Sequence, residues 1–306
     1  MAATSNPRIN IQLLPAAIVD AFADRRDLIV GVMPTAATAT SGALVQNVNS
    51  LTLAQRRTMF GTGELFGRVQ QWLNSNGGHS PLDVIGLDEA GGGTAATSVV
   101  TFTGTATAAG TVTFSAVDEF LFSVTLDVAS GATATAVATQ LDTALDALVD
   151  APFSSAALAG AVTLTADEKG TSGNYYGLKI DVQVDGITAA LTGWTGGATD
   201  PTLTGIFDVI PGIRYTGISW PEYWQASLST VKTLLESRFN AANEIIDGTA
   251  FHGRSLTYAD ALTAVSTENS QTIVMGGNNK LDTATHKGPA ILQPADWTLA
   301  YFMGVR

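Results

Sequence analysis

Apolar positions along the chain follow two different periods, and the switch between them divides it. Ile9, Ile11 and Leu13 alternate with Asn10, Gln12 and Leu14, which predicts a short extended arm within residues 1–16. Pairing with a neighbour's sheet edge would tie such an arm down, and a strand in its own domain fits the pattern equally. Leu28-Ile29-Val30-Gly31-Val32-Met33 reads as a short buried strand closed by Pro34, followed by a polar Ala/Thr/Ser/Gly loop over 35–50. Thr52 predicts the N-cap of a short helix through Arg57, with Gln55 at the capping-box position. A longer helix follows over 64–74, with Leu65, Phe66, Val69, Trp72 and Leu73 on one face and Asn76-Gly77-Gly78 as its stop. Leu82–Leu87 is a second buried strand, and strand, helix, strand is the order of an α/β sheet.

At Gly91-Gly92-Gly93 the period changes to 2. Residues 99–103, 110–117 and 120–127 predict strands; in the last, Phe120, Phe122, Val124 and Leu126 alternate with Leu121, Ser123, Thr125 and Asp127. A helix is expected over 135–150, with Val137, Leu141, Leu145 and Leu148 inward and Asp142, Asp146 and Asp150 outward. Val162, Leu164 and Ala166 start another strand, and Leu178, Ile180, Val182 and Val184 alternate with Lys179, Asp181, Gln183 and Asp185. Thr and charge on the alternate positions mean sheet with one wet face. The expectation is a small α+β module of about five strands and one helix, with Gly193–Asp200 as return linker. The α/β order then resumes: a strand within 214–219, a helix over 227–240 carrying Leu228, Val231, Leu234, Leu235 and Phe239, a strand-like stretch at 244–248, a helix over 257–265, a buried strand at 272–276, and a last helix from Pro294 with Trp297, Tyr301 and Phe302.

Charge sharpens this division. Residues 88–200 hold 13 acidic and 2 basic residues (Lys169 and Lys179), a net of −11; the remainder holds 14 acidic and 13 basic, a net of −1, completing the chain's −12. A solvent-facing module inserted into another domain explains so lopsided a distribution. Its 306 residues suit two domains, or one with an insertion. Only 14% of residues are charged and 31 are glycine, as suits surfaces met by other subunits, although Ala/Thr/Gly-rich usage is also a habit of GC-rich genomes. The chain has no cysteine, which excludes disulfides and thiolate metal sites. A pI near 4.5 argues against nucleic acid, which needs a basic stripe. No apolar run reaches the roughly 20 residues of a membrane span, and Met1–Asn10 lacks the pattern of a secretory signal.

Candidate chemistry is sparse. Gly61-Thr62-Gly63-Glu64-Leu65-Phe66-Gly67 opens a helix but lacks the spacing and lysine of a phosphate-binding loop, so its glycines read as a tight turn. Ser255 has no nucleophile-elbow context, and His252 reads as a polar edge residue. The sets Asp118-Glu119, Asp142/Asp146/Asp150 and Asp167-Glu168 lack calcium-loop spacing; the trio spaced by four reads as one solvated helix face. His79, His252 and His286 show no ligand spacing. Trp220-Pro221-Glu222-Tyr223-Trp224 reads first as a core plug or an intersubunit contact, and second as a platform for a carbohydrate or partner. No cofactor and no metal is implied.

Several runs carry a family resemblance. They are Met59-Phe60-Gly61-Thr62-Gly63-Glu64-Leu65, the Thr103-Gly104-Thr105-Ala106-Thr107-Ala108-Ala109-Gly110-Thr111 run, the Lys169-Gly170-Thr171-Ser172-Gly173-Asn174 loop, and the Gly196-Gly197-Ala198-Thr199-Asp200-Pro201 return. With the arm and the strands around them, over roughly 8–280, the chain resembles the contractile tail sheath proteins of Mu-like bacteriophages. The resemblance implies a non-enzymatic virion protein, assembled in the host cytoplasm, that stacks with copies of itself as hexameric rings in a helix around the tail tube protein. Such a sheath meets baseplate and tail terminator proteins and contracts to drive the tube through a host envelope. It implies an intersubunit arm at Arg8, Ile9, Asn10, Ile11, Gln12, Leu13 and Leu14. The family pattern continues past the position of Arg306 into a tube-contacting domain and a C-terminal arm, so the resemblance assigns neither role to a residue here.

The expected class is therefore α/β, mixed with α+β: an arm over 1–20, a discontinuous α/β core over 21–87 and 201–306, and an inserted acidic β-rich domain over 88–200. Neither nucleic acid nor membrane insertion is expected. The alternative function is a virion-surface or baseplate-associated binding module whose insert recognises a host glycan or partner. An α/β enzyme using Ser255 or His252 ranks below both.

Overall fold

A computed structural model describes residues 25–203, 205–210, 213–238, 248–256, 258–267, 272–279 and 293–305. The arm residues Arg8–Leu14 and most of the strand-like stretch at 244–248 lie outside these. Mixed helix and strand in several sheets is the expected α/β class.

The first strand set forms a six-stranded sheet of order β13-β12-β11-β1-β3-β2. It comprises β1 (Asp27–Met33), β2 (Leu44–Val45), β3 (Leu82–Asp88), β11 (Gly217–Trp220), β12 (Thr249–Leu256) and β13 (Ile273–Asn279). Every ladder is parallel except β2 against β3. Parallel sheets are covered on both faces, and β1 shows how. Leu28, Val30 and Val32 point to one side, into a core with Ile218, Trp220 and α4 (Leu228–Arg238). Ile29 and Met33 point to the other, into a core with α2 (Glu64–Asn76) and α6 (Ala295–Val305). The helix expected over 257–265 is α5 (Tyr258–Thr267), which connects β12 to β13. Both predicted helix signals before β3 are present. Thr52 and Gln55 close a reciprocal capping box at α1 (Leu53–Phe60), and Gly77 ends α2 in the left-handed region at φ 63°.

The block with period 2 forms two antiparallel sheets, β10-β4-β8-β7 and β6-β5-β9, which share one apolar core with α3 (Ala134–Asp146). Its strands are β4 (Ala95–Gly104), β5 (Gly110–Ala116), β6 (Asp118–Val128), β7 (Phe153–Leu158), β8 (Ala161–Lys169), β9 (Leu178–Gln183) and β10 (Ile187–Leu191). There are thus seven strands where the pattern predicts about five. The two extra, FSSAAL and ITAAL, are made of small residues with little polar–apolar contrast. What sets them is pairing: β7 turns straight into β8 through Ala159 and Gly160, both at positive φ (49° and 91°), and β10 lies along β4.

Other differences from the sequence reading have local causes. The loop over 35–50 contains β2 and a 3₁₀ turn at Val48–Ser50. The helix expected to 150 ends at Asp146, so Asp150 lies past it. The helix expected from 227 is preceded by a 3₁₀ stretch, Glu222–Ser227. The return segment is tied back rather than free: Thr94 bridges Ala198 and Thr97 bridges Thr195, clasping the block where its chain enters and leaves. The strand at 272–276 is not buried, since β13 is the sheet edge and Val274 is 43% exposed.

Among the side chains that join the two bodies, one reaches from a helix of one core into the other core. Trp297 of α6 sits in the core of the antiparallel sheets, edge-on to Tyr176 at 6.2 Å, while Leu299 and Met303 of the same helix pack in the parallel-sheet core. Gly67 of α2 makes room for it, because a Cβ there would overlap the indole.

Candidate functional site

The parallel sheet carries buried acids at both ends, and the two ends differ. At the amino ends, Asp27 accepts from Trp72 Nε1 (3.0 Å), Thr216 Oγ1 (2.9 Å) and Arg25 (3.1 Å). Asp83 accepts from Arg26 (2.8 Å), the Tyr215 hydroxyl (2.8 Å) and Asn47 N (3.0 Å). Buried charges with this many donors are well satisfied.

The carboxyl ends of the strands, where open α/β sheets present their crevice, hold a second group against the acidic block. The Gly61-Thr62-Gly63 turn delivers α2 there. Gly61 sits at φ 72°, and a Cβ on it would collide with Pro34. Glu64, in the first turn of α2, is buried and ion-paired to Arg68 one turn on. Glu64 Oε2 also accepts from the Tyr223 hydroxyl at 3.0 Å. The Arg68 guanidinium donates to Ser219 Oγ (3.1 Å) and to the Val30 carbonyl, spanning β11 and β1. From β8, Glu168 Oε1 accepts from the Tyr176 hydroxyl (2.6 Å) and Ser172 Oγ (3.0 Å). Asp296 of α6 accepts from Trp297 N at 2.9 Å and Glu222 N at 3.5 Å, while Glu222 Oε1 accepts from Ser255 N. Among the described residues, Glu168 Oε2 and Glu222 Oε2 are buried without a hydrogen-bond partner.

Burial dominates the electrostatics here. It pushes Glu64 and Glu222 up to about 8 and Glu168 up to about 7, and it raises Asp296. Arg68 opposes the rise at Glu64 and Asp296; at Glu64, the neighbouring Asp296 and Glu168 add to it. Tyr176 and Tyr223 are raised well above the usual phenol range by the same burial.

The other sequence candidates fall elsewhere. His252 lies fully buried on β12, inside the sheet rather than at a polar edge. Its Nδ1 faces the Trp220 carbonyl (3.3 Å) and its Nε2 faces Gln225 Oε1 (2.5 Å). Burial lowers it to about 4, so it is neutral at ordinary pH. Trp220 and Trp224 are core side chains, 5.4 Å apart, which is the plug reading. Asp142 and Asp146 both accept from Ser155 Oγ, at 2.6 and 3.3 Å. Asp150 leaves the expected helix face and pairs with Arg57 of α1. Among the described residues, no cluster of His, Asp and Glu is arranged to hold a metal ion, and no helix is long and apolar enough to cross a membrane.

Surfaces suited to assembly are also present. Among the described residues, β13 is an edge strand of the six-stranded sheet, and α6 exposes Tyr301, Phe302 and Val305.

No family model matches the sequence. It is similar to the tail sheath protein of the Mu-like prophage FluMu of Haemophilus influenzae, with 29% identity over 261 residues, covering 81% of this chain and 49% of the relative. The family resemblance read from the sequence is borne out by that relative, and this chain spans about half of its length. Two solved structures are similar at 12% identity. A sheath tail protein of Desulfitobacterium hafniense is matched over 100% of this chain and 61% of that one, with a TM-score of 0.38. One of Listeria innocua is matched over 94% and 58%, with a TM-score of 0.36.

Proposed function

We propose that this chain is a structural subunit of a contractile phage tail sheath, resident in the virion tail and assembled in the host cytoplasm. The observation that carries the reading is the sequence similarity to a Mu-like tail sheath protein over 81% of the chain. In this reading, copies form hexameric rings stacked helically around the tail tube, and the sheath ends meet baseplate and terminator proteins. Residues 88–200 are an inserted module that faces outward, in keeping with their net charge of −11. The chain acts without catalysis or cofactor. Contraction draws on a difference in intersubunit contacts between two packings of the same subunits.

Arg8–Leu14 is the linking arm in this account. An extended segment adds to an unpaired strand through main-chain hydrogen bonds, and the β13 edge of the next copy is the strand it would join. Sedimentation of the full chain beside a chain lacking residues 1–14 tests the arm. The full chain is expected to form large assemblies at high concentration and the truncated one to remain small. Equal assembly by both would remove the arm from the account.

A further inference from the structure

We propose that the junction between the parallel sheet and the acidic block is a proton-operated latch. Glu168, Glu64, Asp296 and Glu222 form one buried row across it; protonated they let the two bodies close, and ionised they force them apart. Glu64, Asp296 and Glu222 come from the parallel-sheet body and Glu168 from β8 of the acidic block, so the row is completed and closed from water only when the bodies are docked. Among the described residues, the cations facing it are two. Arg68 acts on Glu64 and Asp296, and half-buried Arg254 of β12 acts on Glu222. Asp167, beside Glu168 on β8, adds a further negative charge, and Asp200 adds one near Tyr175. Tyr176, Tyr223 and Tyr175 face the row as neutral phenols.

Charge balance therefore fails if every carboxyl ionises. Geometry points the same way: Glu168 Oε2 and Glu222 Oε2 lack any donor among the described residues, and Gly63 packs so closely on Glu168 Oε2 that not even a methyl group fits between them. An ionised oxygen buried without a donor is costly, and a neutral carboxyl much less so. The linkage has a definite sign. The closed form keeps protons up to about pH 7 to 8, whereas an opened, hydrated row loses them near the usual carboxyl value of about 4.3. The native form thus holds more protons between those limits, and closure weakens as pH rises through that window, levelling off above it.

Hydrogen exchange of the full chain, corrected for intrinsic chemistry, reads the latch. Protection in α6 and at Ser172–Tyr175 is expected to fall about tenfold or more between about pH 5 and pH 8.5, while the β4–β8 ladder changes little. The double variant Glu168→Gln, Glu222→Gln mimics the neutral row, because Gln Oε1 still accepts from Tyr176 and Ser172. Glu64 and Asp296 still titrate in it, so its protection is expected to fall, but clearly less than that of the wild type. Wild-type protection that is unchanged or higher at pH 8.5, or an equal fall in the variant, would overturn the proposal. If the variant does not fold, the wild-type comparison alone decides.

Discussion

Replacing Arg68 with Met is expected to lower the unfolding free energy by about 3–5 kcal/mol near pH 9.5, above the range over which Glu64 keeps its proton, because it leaves buried carboxylates without their counter-charge. Near pH 5 the same substitution costs less, about 1–3 kcal/mol, the penalty for unpairing the Ser219 hydroxyl and Val30 carbonyl that Arg68 now satisfies. The contrast follows from the direction of the shifts. Glu64 and Asp296 are already raised by burial, and Arg68 is what holds them down. Without it they remain neutral to higher pH, and acid removes most of the electrostatic cost. Urea unfolding of both proteins at the two pH values measures the effect. A loss that is the same at both would mean that Arg68 matters for packing and hydrogen bonding rather than for charge.

Trp297→Ala is expected to cost about 3–5 kcal/mol, the range for emptying a buried aromatic site. More than volume is lost. The indole is the part of α6 that reaches the core of the antiparallel sheets, against Tyr176, while the rest of the helix packs beside α2. Removing it separates the two bodies without breaking a strand ladder. Unfolding should therefore change from one transition to two, with the parallel sheet melting before or after the acidic block. A single, slightly shifted transition would show that other contacts, such as Arg57 with Asp150 and Thr62 with Asp167, suffice to couple them.

The sequence shows clearly those elements whose local signals agree with their tertiary surroundings. β1 and β3 are continuous apolar runs because both faces of a parallel sheet are covered, and α2 carries a periodic face and a glycine stop. β7 and β10 are hidden because Ser and Ala give no contrast, and cross-strand pairing alone places them. β12 is hidden for another reason: TAFHGRSL mixes His and Arg into a central strand, and Gly253 is small because α6 passes directly over it. The carboxylate row was not legible as a group, since its members are separated by up to 232 positions, from Glu64 to Asp296. Two signals were available. Glu64 and Arg68 lie four apart in a stretch whose other positions are Leu, Phe and Gly, and a charge pair inside an apolar face marks a buried pair rather than a wet surface. The acidic doublet Asp167-Glu168 is set aside for lacking calcium-loop spacing, although the alternation of Val162, Leu164 and Ala166 already places Glu168 on the inward face of β8.

The central claim, that this chain builds a tail sheath, is tested most directly by electron microscopy of the purified protein at high concentration, alone and with tail tubes of its phage. The account predicts stacked rings or hollow cylinders with six-fold symmetry, in the presence of the tube if not before. Uniform small particles under both conditions, with bare tubes alongside, would contradict it.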